Sequence, residues 1–331
     1  MRAVDRRAGG CLLALGILFM ACRDPTPDDA EGRPIFRIGY MPNLTHAPAL
    51  YGIESGLFER ALAPEAVLQV RAFTAGPSVV EALFAGELDL AYLGPNPALN
   101  AYAVSNGQAI RIVAGSTSGG AQLVVRPDVR RAEDLLGKRV ATPALANTQD
   151  IAVRIWLREK NFEVGKGEDA VEVMPIAPVE VMRLLANGEL AGAWMPEPWA
   201  SRLLFEADGV VLVDEASLWP RGRFPTTVVA ASMPALKERR GLVERALRAH
   251  EEAIVSLDRD PRARAVVSRR IEADLGFTLP PEVIDRAYSK LEFTADPMPE
   301  ALLILAERAF ELGYTRRVDD ILRVVETDLL P

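Results

Sequence analysis

The sequence predicts a two-lobed α/β fold, in which each lobe is a mostly parallel sheet flanked by helices and a helical C-terminal tail packs on the first lobe. Three observations predict it. Short β-prone runs alternate with runs of helical period from Ile35 to Met233, the habit of βα units. One phrase is written twice: GELDLAYLGPNPA over Gly86–Ala98, and GELAGAWMPEPWA over Gly188–Ala200. Each copy opens Gly-Glu-Leu, carries an aromatic at Tyr92 or Trp194, closes on Pro-x-Pro and follows an amphipathic run, so one supersecondary unit is expected in each lobe. After Met233 the pattern changes to charged amphipathic helices without strand signals.

The 331-residue chain opens with Arg2, Arg6 and Arg7 ahead of CLLALGILFMA, a basic segment and a short apolar run that read as a secretory signal over residues 1–21. The run is shorter than the ~20 apolar residues of a spanning helix. Cys22 directly follows Ala21, as in a bacterial lipobox, although Phe19 stands where such a signal usually has an aliphatic. Cys22 is therefore the candidate lipidation site and would anchor the protein to a membrane of the cell envelope; simple cleavage nearby is the alternative. Cys11 and Cys22 are the chain's only cysteines, so the body after the leader can form neither a disulfide nor a Cys-ligated metal site. Residues 22–34, rich in Pro, Asp and Glu, read as a flexible tether.

In the first lobe, expected over residues 35–125 plus 227–331, IFRIGYM, AVLQVRAF, LDLAYLG and IRIVAG are strands. Helical patterns fill the gaps at about 47–56, 77–85 and 97–104. AQLVVR (Ala121–Arg126) and TTVVAASM (Thr226–Met233) are the two strands expected to cross between lobes. The second lobe, residues 126–226, repeats the alternation with KRVATP, AVEVMPI and LAGAWM as strands. The tail is read as helices over 236–258, 261–275, 281–290 and 299–313.

Ligands of open α/β sheets sit beyond the carboxyl ends of the strands, where helices begin. Helix starts with Pro at the first helical position occur at Gly76-Pro77, Asn96-Pro97 and Glu197-Pro198, and Asn147-Thr148-Gln149-Asp150 resembles a capping box. Each start leaves backbone N–H groups unpaired at the positive end of a helix dipole, and several such ends in one cleft make an anion site without a metal. Asn43, Thr45, His46, Gly76, Pro77, Asn96, Ser116, Thr117, Asn147, Thr148, Gln149, Glu197, Trp199 and Thr226 are the candidate ligand-binding residues. Aligning the two phrases pairs Asn96 with Glu197, an amide on one lobe and a carboxylate on the other. The expectation is that both face the cleft and that Trp199 adds an apolar wall; the alternative is that Glu197 only complements a helix dipole. His46 reads equally as a contact or a structural hydrogen-bonder. Lys and Arg are absent from these junctions, so an anion would rely on N–H groups, hydroxyls and amides, helped by His46 or by Arg221 and Arg223, which read equally as surface residues.

GYMPNLTHAPALYGIESGLF, AGPSVVEALFAGELDLAYLGPNPALNAY, ATPALANTQDIAVRIWL and GAWMPEPWASRL together resemble the nitrate/sulfonate/taurine-type substrate-binding proteins of ABC importers, over about Arg37 to Ser232. That resemblance implies a type II periplasmic-binding-protein-like fold closing on a small anionic or zwitterionic solute, a membrane permease as partner, a periplasmic or envelope location, and a monomer. An ammonium of such a zwitterion is expected near Glu197 or Asp150. The same fold with a pyrimidine or thiamine precursor, a phosphonate or an aromatic solute is the alternative. No cofactor or metal is expected.

Net charge −8, with no Lys/Arg cluster, argues against nucleic acid. Catalysis is poorly supported. GSTSG at Gly115–Gly119 places Thr117 where a nucleophile elbow needs Ser, only two histidines exist, and the Cys-rich motif of a related pyrimidine synthase is absent.

Overall fold

The computed structural model describes residues 29–330. The expected signal peptide, Cys22 and the start of the tether lie outside the described residues. Among those described, no helix is long and apolar enough to cross a membrane.

The first lobe begins with β1 (Ile35–Tyr40), α1 (Ala47–Glu54), α2 (Leu57–Leu62), β2 (Val67–Ala72), α3 (Gly76–Phe84), β3 (Leu90–Leu93), α4 (Pro95–Val104) and β4 (Ile110–Gly119). The chain then crosses at Gly120 into the second lobe: β5 (Ala121–Val125), β6 (Arg139–Thr142), α5 (Thr148–Glu159), β7 (Glu163–Val164), β8 (Ala170–Pro175), α6 (Pro178–Ala186), β9 (Gly192–Pro196), α7 (Trp199–Glu206) and β10 (Val210–Asp214). It returns through β11 (Pro225–Ser232) and ends with α8 (Met233–Glu238), α9 (Arg240–Arg259), α10 (Ala263–Leu275), α11 (Pro281–Tyr288), β12 (Leu291–Phe293) and α12 (Pro299–Glu311).

Two six-stranded sheets result, ordered β12-β4-β11-β3-β1-β2 and β10-β5-β9-β6-β8-β7. Both are mixed, and most strands of each share one direction as expected: β11 and β12 run against the rest of the first sheet, and β5 against the rest of the second. The strands β1, β2 and β3 pair in parallel, whereas β4, β11 and β12 pair antiparallel. The reason is the crossing: a chain that leaves a lobe along β4 and returns as β11 re-enters from the same end, so it must run the other way. The β5–β9 and β5–β10 pairings are antiparallel for the same reason. The strand Ala121–Val125, expected in the first lobe, belongs wholly to the second sheet. The crossing falls earlier because Ser116–Gly119 extends β4 instead of turning.

The twice-written phrase is the same unit in both lobes. Each copy runs helix, Gly, buried strand, helix, with Gly86 (φ 70) and Gly188 (φ 76) in the left-handed region that suits a residue without Cβ. The strands β3 and β9 are buried along their whole length, and Tyr92 and Trp194 are fully enclosed.

The tail departs from expectation in two ways. It contains a strand, β12, whose Leu291–Phe293 pairs with Thr117–Gly119 of β4. Nor does it pack on the first lobe alone. Helices α9 and α10 cover α1 and α2 with an apolar face including Val243, Leu247, Val267 and Ile271. Leu275 and Phe277 pack into the second lobe's cluster with Trp199 and Leu203, and Ala309 of α12 meets Ile151 and Ile155 of α5. Ion pairing follows the same course. Arg286 of α11 meets the Glu197 carboxylate at 3.0 Å, the Ser201 hydroxyl at 2.9 Å and the Gln122 amide oxygen at 2.7 Å. His250 of α9, fully buried, bridges the Tyr92 hydroxyl and the Gly115 carbonyl, both at 2.9 Å. Burial lowers its pKa to about 4, so it is a neutral structural group.

Candidate functional site

The helices of both lobes start where their parallel strands end, and these starts surround one cavity of about 190 Å³. From the first lobe come Met41–Asn43 and Thr45–His46 after β1, Phe73–Gly76 after β2, Gly94 and Pro97 after β3, and Thr226 at the head of β11. From the second come Pro143, Ala144 and Asn147–Gln149 after β6, Ala177–Val179 after β8, Pro196 at the end of β9 and Trp199 after it. Leu275 of the tail completes the wall.

Local sequence explains the polar rim. At α5, the Asn147 side chain caps the helix by accepting the Asp150 N–H at 2.8 Å, leaving the first-turn N–H groups of Thr148 and Gln149 facing outward. At α3, α4 and α6 the capping positions are Ala75, Gly94 and Ala177, which offer no side-chain cap, and Pro stands in the first turn. The positive helix ends are thus left uncovered toward the cavity. Asn43 caps the 3-10 turn Leu44–His46 by accepting the Thr45 N–H at 3.0 Å. The Thr148 hydroxyl, on a residue only 2% exposed, has no partner. A Cβ on Gly94 would stand 2.9 Å from that hydroxyl, so the bare backbone of the first lobe lets the second lobe's hydroxyl approach closely.

Among the described residues, no Lys, Arg, Asp or Glu lines the cavity. His46, its one titratable group, is 1% exposed and has its pKa lowered to about 3 by burial. Its Nδ1 accepts the Met41 N–H at 3.3 Å, so the proton of the neutral ring sits on Nε2. The walls are otherwise apolar: Phe73, Trp199, Leu275, Met41 and several prolines.

The structure brings together Asn43, Thr45, His46, Gly76, Asn147, Thr148, Gln149, Trp199 and Thr226 from the expected set. Five others do not line the cavity. Glu197 is fully buried; it accepts the Ser201 N–H of α7 at 3.0 Å and pairs with Arg286, which is the helix-dipole alternative and not the cleft contact. Burial pushes its pKa up, opposed by Ser201 and Arg286. Asn96 turns toward α12 and donates to the Leu305 carbonyl at 3.3 Å, because the helical phase of α4 gives the cleft to Pro97. Ser116 and Thr117 lie inside β4, and the Thr117 hydroxyl is spent on the Thr45 carbonyl at 2.7 Å. Pro77, in the first turn of α3, faces away and is exposed. Asp150 is equally unavailable: it is buried and pairs with Arg154 at 2.9 Å. Arg223 is bound to Glu292 at 2.8 Å, and neither it nor Arg221 reaches the cavity.

Sequence reasoning missed Phe73, Ala177–Val179 and Leu275. Ala177-Pro178 follows a strand with Pro at the first helical position, so the rule applied to Gly76-Pro77 would have found it. No local signal marks Leu275, which reaches the second lobe only because the tail folds across.

The sequence profile of the NMT1-like family matches residues 29–272. The chain is 28% identical to the taurine-binding periplasmic protein of Escherichia coli K12 over 149 residues, 45% of this chain. It is 25% identical over 221 residues to a protein of Brucella abortus named as a binding protein, 66% of this chain. These matches span 44% and 64% of the relatives' own lengths. Among solved structures, the alkanesulfonate-binding protein SsuA from Xanthomonas axonopodis pv. citri bound to MOPS superposes with a TM-score of 0.71 at 21% identity, covering 89% of this chain and 99% of that one. The nitrate-binding protein NrtA from Synechocystis PCC 6803 superposes with a TM-score of 0.73 at 14% identity, covering 88% and 84%. The fold is that of a periplasmic binding protein.

Proposed function

The chain belongs to the NMT1-like family, and from that membership together with the lining of the cleft we propose that it captures a small solute between its lobes and delivers it to an ABC permease. The observation that carries this reading is one cavity ringed by helix starts from both sheets, with neutral polar groups on an apolar wall. Such a site holds a ligand by hydrogen bonds and enclosure and offers no reactive group for turning it over. Similarity to taurine-, alkanesulfonate- and nitrate-binding proteins supports a solute of that size.

Small-angle scattering and thermal unfolding of the chain lacking residues 1–21 test the reading against a broad solute panel. A bound solute should compact the particle and raise the midpoint, stabilising the fold by about 2.7 kcal/mol at a hundredfold excess over Kd. No compaction and no shift with any solute would sink the transport reading.

The leader further supports export and lipid anchoring at Cys22, and with them a position at the cell envelope near a permease. In cells expressing the full chain, Cys22→Ser should move the protein from the membrane fraction to the soluble one. Unchanged detergent partitioning would contradict the anchor.

A further inference from the structure

Resting on the solute-binding reading, we propose that Lys290 and Glu292, which lie outside the cleft, are positioning residues: they hold the tail as a splint across both crossings between the lobes, and so set solute affinity without touching the solute. Three consecutive tail residues each meet a different part of the crossings. Lys290 Nζ donates to Asp214 Oδ2 at 3.0 Å, where β10 ends and the second crossing begins. The Leu291 side chain lies so close over Gly120, in the first crossing, that a Cβ there would stand 2.2 Å from it. Glu292 accepts two hydrogen bonds from Arg223, at 2.8 and 3.0 Å, just before the chain returns as β11. Gly119 and Gly120 have φ of 79 and 71, and their bare backbone admits the splint: a Cβ on Gly119 would meet the Lys290 carbonyl oxygen at 2.7 Å.

The splint joins parts that belong to different lobes. The strand β12 is hydrogen-bonded to β4 of the first sheet, whereas Asp214 ends an edge strand of the second. From Asp214 a polar chain runs on through the second lobe. Its Oδ2 also accepts from Gln122 Nε2 at 2.9 Å, and the Gln122 oxygen accepts from Arg286, the partner of Glu197. The crossings are tied to each other as well, by the Gly119 N–H and the Phe224 carbonyl at 3.1 Å.

All these contacts are made with the lobes meeting across the cavity, where Gly94 faces Thr148. Hydrogen bonds weaken steeply as geometry is lost, so a rotation at Gly119–Gly120 that shifts β10 against β12 costs them. They therefore favour the enclosing arrangement. The four side chains of the two ion pairs are between 33% and 50% exposed, so the pairs add little to global stability. A balance between two lobe arrangements of similar free energy responds to such small terms.

The test uses the chain lacking residues 1–21, as parent and as Lys290→Met, Glu292→Ala and the double variant. It combines small-angle scattering without solute, thermal unfolding, and calorimetry with taurine, butanesulfonate and nitrate. The double variant should have a larger solute-free radius of gyration than the parent at a nearly unchanged midpoint. It should also bind each probe that the parent binds about fivefold more weakly, by one factor for all, because the enclosed fraction scales every affinity alike. Lys290→Arg, which keeps the charge, should match the parent. If the parent binds none of the three but compacts with another solute, that solute is the probe. An unchanged solute-free particle overturns the proposal, as does an affinity loss that differs between probes. A lowered midpoint with size and affinity unchanged also overturns it, since the pairs would then only staple the tail. In each of these cases the parent still binds solute, and the solute-binding reading stands. Failure of the whole broad panel removes the transport reading, and with it any role of these residues in affinity.

Discussion

Gly115→Ala is expected to destabilise the protein by more than about 4 kcal/mol, which is exceptional for the addition of one methyl group. A Cβ at this position would stand 2.1 Å from the Asp296 carbonyl oxygen and 2.9 Å from that of Thr294. Both obstacles are backbone, so no rotamer change relieves them. Gly115 also donates its N–H to the Ala295 carbonyl at 2.7 Å and accepts from His250 through its own carbonyl. The inserted methyl would push the segment after β12 off the first sheet and disturb the buried His250 contact together. The change is measured by denaturant unfolding at neutral pH. A loss below about 1 kcal/mol, the scale of an ordinary tolerated substitution, would mean that the tail does not run across β4 as described.

Arg286→Met is expected to cost about 3 kcal/mol, and the loss should depend on pH. Arg286 reaches solvent in part, with 20% of its side chain exposed, whereas Glu197 is sealed at 0%. Removing the arginine therefore leaves the carboxylate as an uncompensated buried charge. Removing Glu197 would leave a cation that can still find water, so Glu197→Ala should cost less.

The direction with pH follows from Glu197, whose pKa burial already raises above 4.5 while Arg286 holds it down. Without Arg286 it rises further. An acid whose folded pKa exceeds its unfolded one favours the folded state below the unfolded value, and that advantage is lost as pH climbs through the folded value. The variant's deficit relative to the parent should thus be smallest near pH 4.5 and grow toward pH 8. Adding Glu197→Gln to Arg286→Met should recover much of the loss at pH 8. A pH-independent deficit, or no recovery in the double variant, would show that packing and not charge ties the tail to the second lobe.

The two lobes were legible because strand and helix periods are local, and because the Gly-Glu-Leu phrases end a helix and start a buried strand by the same chemistry at Gly86 and Gly188. The helix starts at Asn43, Gly76 and Asn147 were legible for the same reason: capping depends on residues within one turn. Where prediction failed, the deciding neighbour lay far along the chain. Glu197 and Asn96 occupy matching places in the repeat, yet Arg286 and the Leu305 carbonyl, about ninety and two hundred residues later, draw them away from the cleft.

The chain alone therefore determined which segments form strands, which form helices, and that uncovered helix starts without Lys or Arg would dominate any shared site. Only the tertiary structure decided the direction of the crossing strands, the reach of the tail over both lobes, and which polar side chains remain unspent. Those depend on partners brought together by folding, and a hydrogen bond consumed by a distant partner leaves no trace in the local sequence.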